Sequence, residues 1–160
     1  MSTDEGAPPA RVDARLVEAA AAGERGAVDE LLTGLRPLVL RYCRARLDRT
    51  AAQRCAQDTL LEALAQLPGR VGQAGQPLLP LVFGIAGRRV TEELRRHPQT
   101  GPPDPLDRLP PAHRDLLTLR VVLGFTAEQT AEALGLPGAA AVRVGQHRGL
   151  TALRKLLQEG

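Results

Sequence analysis

Residues 124–155 read "GFTAEQTAEALGLPGAAAVRVGQHRGLTALRK". Thr126 and Gln129 stand three apart, the spacing at which a hydroxyl and an amide side chain satisfy each other's orphaned backbone N–H groups at a helix start. Ala127, Thr130, Ala131 and Leu134 give that helix a thin inner face, and Gly135 supplies the left-handed residue that ends it. After the turn a second helix is predicted, with Val142, Gly145, Gly149, Leu153 and Leu156 on one side and Arg143, Gln146, His147, Arg148, Thr151 and Lys155 on the other. Arginine and glutamine can pair bidentately with base edges, and further cations neutralise phosphates. The pattern predicts a helix-turn-helix whose second helix enters the major groove. A solvated basic face on an ordinary helix pair accounts for the same charges.

The rest of the chain fits an all-α protein. Its 160 residues are 43% hydrophobic, with one Tyr, two Phe and no Trp, so the apolar content is chiefly Ala, Leu and Val. Such a composition suits closely packed helices better than an aromatic-rich sheet. No apolar run approaches the roughly 18 to 20 residues that span a bilayer, and the acidic, Pro-containing opening is unlike a signal peptide. No membrane insertion and a cytoplasmic location are expected. Cys43 and Cys55 lack the spacing of a metal site and read as buried, reduced thiols. The net charge of +3 decides little, but its distribution is uneven. Arg36, Arg41, Arg44, Arg46, Arg49 and Arg54 share their stretch with one acid, Asp48, and no acid occurs from Gly135 to Leu157.

Helical periodicity is predicted over residues 13–22 with Asp13 as cap, and from near Gly26 to Leu47 with Pro37 as a boundary or kink. A third helix begins at Thr50 as cap and carries Leu60, Leu61, Leu64 and Leu67 as an apolar stripe. A break follows at residues 68–77. "PLLPLVFGIAGRRVTEELRR", residues 77–96, reads as a long helix that is apolar first and charged later, with Pro80 in its first turn. Residues 97–111 hold Pro98, Pro102, Pro103, Pro105, Pro110 and Pro111 without helical period, which marks a domain boundary. A further helix resumes at residues 111–124 with Leu116, Leu117, Leu119, Val121, Val122 and Leu123. The organisation predicted is two small helical domains, residues 13–96 and 109–158, joined by a Pro-rich linker over 97–108.

Taken together these segments resemble the extracytoplasmic-function (ECF) sigma factors of the sigma-70 family. The most specific match is LPxxxRxxLxLRxxxGxTxxxxAxxLG, which residues 109–135 satisfy, followed by "AVRVGQHRGLTALRK" at residues 141–155. The resemblance implies an alternative sigma factor that binds core RNA polymerase, through its β′ and β subunits, and directs it to promoter DNA. It further implies that Gln57 and Asp58, with Arg54 beside them, contact the polymerase. Arg88, Arg89, Glu92, Arg95 and Arg96 fall on the helix associated with the −10 element, and Arg143, Gln146, His147, Arg148 and Lys155 on the −35 helix. No catalytic residue, cofactor or metal is implied, and an anti-sigma factor is an expected partner.

The chain departs from the family's pattern in four places. Arg54 stands where an acid is usual. Residues 78–81 read Leu-Leu-Pro-Leu in a stretch that often carries Phe and Trp, leaving Phe83 as its aromatic. The turn "GLPGAAAV" is one residue longer than usual. The twelve-residue linker reaches at most about 40 Å, against about 58 Å between promoter elements some 17 base pairs apart. These departures leave two other functions open: a diverged sigma-like regulator that binds an anti-sigma or other protein, and a stand-alone helix-turn-helix regulator.

Overall fold

The computed structural model describes residues 12–70, 77–102 and 104–159, and every regular element among them is helical. Helices α1 (Ala14–Ala21), α2 (Arg25–Arg44), α3 (Arg49–Gln66) and α4 (Leu78–Arg96) form the N-terminal half; α5 (Pro111–Leu117), α6 (Ala127–Leu134) and α7 (Ala139–Gln158) form the C-terminal half. The fold is all-α. Most of the predicted break at residues 68–77 lies outside the described residues.

Local chemistry sets the helix ends. Asp13 caps α1 by accepting from the Arg15 backbone N–H. The cap of α3 is Asp48, which accepts from Ala51 N at 2.9 Å, so the helix begins before Thr50, the cap expected from sequence. Both residue types cap well, and the aspartate stands where the chain is still extended. Pro37 lies inside α2 and bounds no element. Pro80 falls in the first turn of α4, where its missing N–H has no intrahelical acceptor to lose.

The inner face of α3 consists of Ala51, Ala52, Cys55, Ala56, Thr59, Leu60 and Ala63, with Leu67 buried just beyond its end, whereas Leu61 is 57% exposed. Small residues there let α2 and α4 approach α3 closely. Cys43 and Cys55 are both free and buried. Burial pushes the Cys43 thiol up to about 12 and raises that of Cys55, so both stay protonated at neutral pH.

The helix expected from residue 111 to 124 remains α-helical only to Leu117 and then widens into a π-turn over Thr118–Val122, closed by Leu123 N–H to Thr118 O at 3.0 Å. The wider turn changes the phase of the side chains. Leu119 and Leu123 point inward, while Val121 and Val122 are exposed despite their place in an apolar run.

Two apolar clusters result. The smaller joins Leu109, Leu116, Leu117, Ala127, Ala131 and Val142 within the C-terminal half. The larger fills the N-terminal half and also takes in Leu119, Leu123, Phe125 and Ala133 from the other side of the linker. Phe83 of α4 meets Tyr42 at 5.5 Å and Phe125 edge-on at 6.0 Å, so a short aromatic chain crosses between the halves.

Candidate nucleic-acid interface

The helix pair is built by the bonds its sequence predicts. Thr126 N–H donates to the Gln129 side-chain oxygen at 2.8 Å, and Gln129 N–H donates to the Thr126 hydroxyl at 3.1 Å. Gly135 ends α6 at φ 68°, in the left-handed region. Behind α7, the two glycines admit α5. A Cβ on Gly145 would lie 2.7 Å from Leu116 Cδ1, and one on Gly149 would lie 3.3 Å from Leu117 Cδ1. Each glycine weakens the helix by about 1 kcal/mol relative to alanine, and the close α5–α7 packing offsets that cost.

α7 consequently presents an outer face of Ala140, Arg143, Val144, His147, Arg148, Thr151, Arg154 and Lys155, all exposed. Arg143 has a distant ion-pair partner, Glu128, at 3.9 Å, with both groups largely in solvent. Gln146 differs from the other residues predicted to point outward. It is half-buried, and its oxygen accepts from Arg120 Nε at 2.8 Å. Arg120 in turn donates from its NH1 to the Phe125 carbonyl at 2.6 Å. Arg120 was not singled out by sequence because its partner is far along the chain.

On the N-terminal half, α3 and α4 lie side by side and pair their charges. Arg54 reaches Glu93 at 2.6 Å. Arg88 pairs with Glu62, and Arg89 bonds Glu62 at 2.7 Å and approaches Asp58 at 3.8 Å. Hydrogen bonds from Arg88 and then Arg89 hold the Glu62 carboxyl below the usual carboxylate range. Asp58, Arg88 and Arg89 therefore meet in one network through Glu62, and Arg54 with Glu93 forms a separate pair across the same two helices, although sequence assigned these residues to two separate contacts. Gln57 is exposed beside it on α3. Glu92, Arg95 and Arg96 are exposed on the last turns of α4, and none makes an ion pair among the described residues.

Between the halves lies a polar clasp. Tyr42 donates its hydroxyl to Asp115 at 3.0 Å, and the absence of a side chain at Gly87 leaves room for that hydroxyl. Arg41 donates to the carbonyls of Leu123 at 3.1 Å and Val122 at 3.4 Å, groups turned outward by the π-turn. Arg46, its side chain almost wholly buried, bonds Asp107 at 2.8 Å through Nε and at 2.7 Å through NH2. Gly135 lies close to Pro80, whose ring would be 3.8 Å from a Cβ added at the glycine. The arginines between Arg36 and Arg54 thus serve partly to hold the C-terminal half.

Among the described residues no helix is long and apolar enough to cross a membrane. The arrangement matches known proteins over nearly its whole length. The family described as Sigma-70, region 4, matches residues 106–155, which span the last linker residues and most of the helix-turn-helix half. The ECF RNA polymerase sigma factor ShbA of Streptomyces griseus is 36% identical, the alignment covering 90% of this chain and 94% of the relative. The ECF RNA polymerase sigma factor SigD of Mycobacterium tuberculosis is 35% identical, over 90% of this chain and 82% of that protein. Among solved structures, CnrH, determined in complex with the cytosolic domain of CnrY, has the same fold with a TM-score of 0.66 at 22% identity, covering 92% of this chain and 97% of that one. With identity at this level along both halves, and the capping box, left-handed glycine and basic second helix all in place, the chain belongs to the ECF RNA polymerase sigma factor family.

Proposed function

We propose that this chain works as an alternative sigma factor: it binds core RNA polymerase in the cytoplasm and directs it to a particular set of promoters by binding alone, with no catalytic step of its own. Residues 13–96 form the domain that docks on the polymerase and handles the −10 element, 97–108 the linker, and 109–158 the domain that reads −35. Gln57 and the exposed side of Asp58 face the β′ subunit, with Arg54 beside them. The C-terminal half lies along β. On α4, Arg95 and Arg96 are free to neutralise −10 phosphates with Glu92 alongside, whereas Arg88 and Arg89 must exchange Glu62 for DNA. On α7, Arg143, His147, Arg148 and Lys155 approach the −35 duplex. An anti-sigma protein is the expected regulator.

The observation that carries this reading is the acid-free face of α7, held outward by a fully satisfied capping box and a glycine-lined contact with α5. An ordinary solvated helix has no use for two interior glycines that press it against a scaffold. The test is transcription in vitro from promoters selected with the reconstituted holoenzyme. The parent supports initiation; Arg143→Ala with Arg148→Ala lowers promoter binding by at least tenfold while leaving affinity for core polymerase unchanged. Equal loss of both affinities contradicts the division of labour between the halves.

A further inference from the structure

The side chains of α7 sort cleanly around its axis. Val142 and Gly149 are buried, and Gly145, Ala152, Leu153 and Leu156 are half-buried on the same side. Diametrically opposite lie Ala140, Val144, His147 and Thr151, with Arg143 flanking them on one side and Arg148 and Lys155 on the other. A helix laid in a major groove turns that central strip to the base edges and its flanks to the two phosphate backbones.

Gln146 is not in the strip. A guanidinium has only donors, so the amide turns its oxygen, not its NH2, toward Arg120 Nε at 2.8 Å. A glutamine reading adenine must offer its oxygen to N6 and its NH2 to N7 together. Here the oxygen faces Arg120, which is fixed at its other end by the Phe125 carbonyl. Gln146 thereby ties α7 to the segment before α6, and its bond sets the helix at a fixed rotation.

Val144, nearly opposite Gln146 around the axis, lies in the strip. It is 52% exposed and packs in neither apolar cluster. A β-branched residue is a poorer helix former than alanine, and half of this side chain stays in water. It is the one side chain in the central strip that is apolar and larger than alanine, and it is ringed by the cations that bring DNA close. Among the base edges of the major groove, the apolar group it can meet is the 5-methyl of thymine.

We propose that Val144 is a specificity-determining residue of −35 recognition, reading a thymine through its 5-methyl group, and that Gln146 is a positioning residue that reads no base. This rests on the reading of α7 as the promoter helix. The experiment uses the full chain assembled with core polymerase from its host and a promoter selected from a library randomised across −35. Each −35 thymine is replaced in turn by deoxyuridine, which removes the methyl group alone.

One replacement is expected to weaken the parent complex about fourfold, the worth of one methyl group taken from water. Val144→Ala is expected to bind the unmodified promoter weaker by the same factor and to show no further loss with deoxyuridine. Gln146→Ala is expected to keep the parent's pattern of base preferences. The proposal is overturned if no −35 thymine is selected, if Val144→Ala retains the sensitivity to deoxyuridine, or if Gln146→Ala changes the preferred base at any position. The doubly substituted Arg143→Ala, Arg148→Ala protein separates the two levels. If it binds DNA as well as the parent, the assignment of α7 to promoter DNA fails and the proposal with it; if it binds weakly on all sequences, failure of the thymine test concerns Val144 alone.

Discussion

Asp115 is the residue where fold and chemistry are most tightly joined. It lies between the halves, accepts from the Tyr42 hydroxyl, and has Arg114 at 3.9 Å. Burial raises its carboxyl above the ordinary range, outweighing the Tyr42 bond and the nearby Arg114 and Arg46 guanidiniums, which lower it. Burial likewise raises the Tyr42 phenol, with the Asp115 charge second, so the tyrosine remains the donor. Because the folded carboxyl holds its proton more tightly than the unfolded one, its contribution to stability is present below the ordinary carboxylate range and is lost as pH rises through the raised value. Asp115→Asn cannot ionise and lacks this dependence. In urea unfolding over a pH series, the stability difference between variant and parent is expected to move in the variant's favour as pH rises through that window; a flat difference, or one of opposite slope, contradicts it. None of this is legible in sequence, because Tyr42 lies 73 residues away. Gln146 was misplaced for the same reason, since helical periodicity sets only its flank position and Arg120 decides its orientation. The Thr126–Gln129 box was readable because both partners lie within one turn.

At the scale of elements, α3 and α4 explain the departure at position 54. The sequence presents Arg54 as a reversed charge at a polymerase contact. In the structure Arg54 is neutralised by Glu93 on α4, a residue whose side chain is only 13% exposed. A lone acid at 54 would set like charges together. Arg54→Glu is expected to destabilise the protein by about 1 kcal/mol, and adding Glu93→Arg to recover about half or more of that loss, as measured by chemical denaturation of both single variants and the double. Additive losses would show that the pair contributes nothing. The elements themselves were largely legible: α1, α2, α4, α6 and α7 follow caps, prolines and apolar periods that act within a few residues. The π-turn was not, because the apolar run from Leu116 to Leu123 fits an uninterrupted helix equally well. Its widening is stabilised by contacts far along the chain, with Leu119 and Leu123 entering the N-terminal core and Arg41 capping the carbonyls it turns out.

At the scale of the whole molecule, the halves are joined more closely than two domains on a linker need be. Phe125, Leu119 and Leu123 are buried in the larger core, and the Tyr42–Asp115, Arg41–carbonyl and Arg46–Asp107 bonds surround them. Pro80 at the start of α4 lies close to Gly135 in the turn before α7. Promoter elements some 17 base pairs apart are separated by about 58 Å along the duplex, farther than the linker alone reaches. The linker adds to the constraint: Pro105–Arg108 forms a 3₁₀ turn that rises about 2 Å per residue instead of the 3.3 to 3.6 Å of extended chain, so the reach falls below the roughly 40 Å expected from its length. Any separation of the halves on a promoter has to draw on the binding energy of core polymerase. That makes polymerase binding the most direct test of the account: the affinity of the purified protein for core RNA polymerase from its own host, measured in competition with the principal sigma factor. The account predicts submicromolar binding that the principal sigma factor competes away; no detectable competition would contradict it and leave the fold to a regulator that binds another protein.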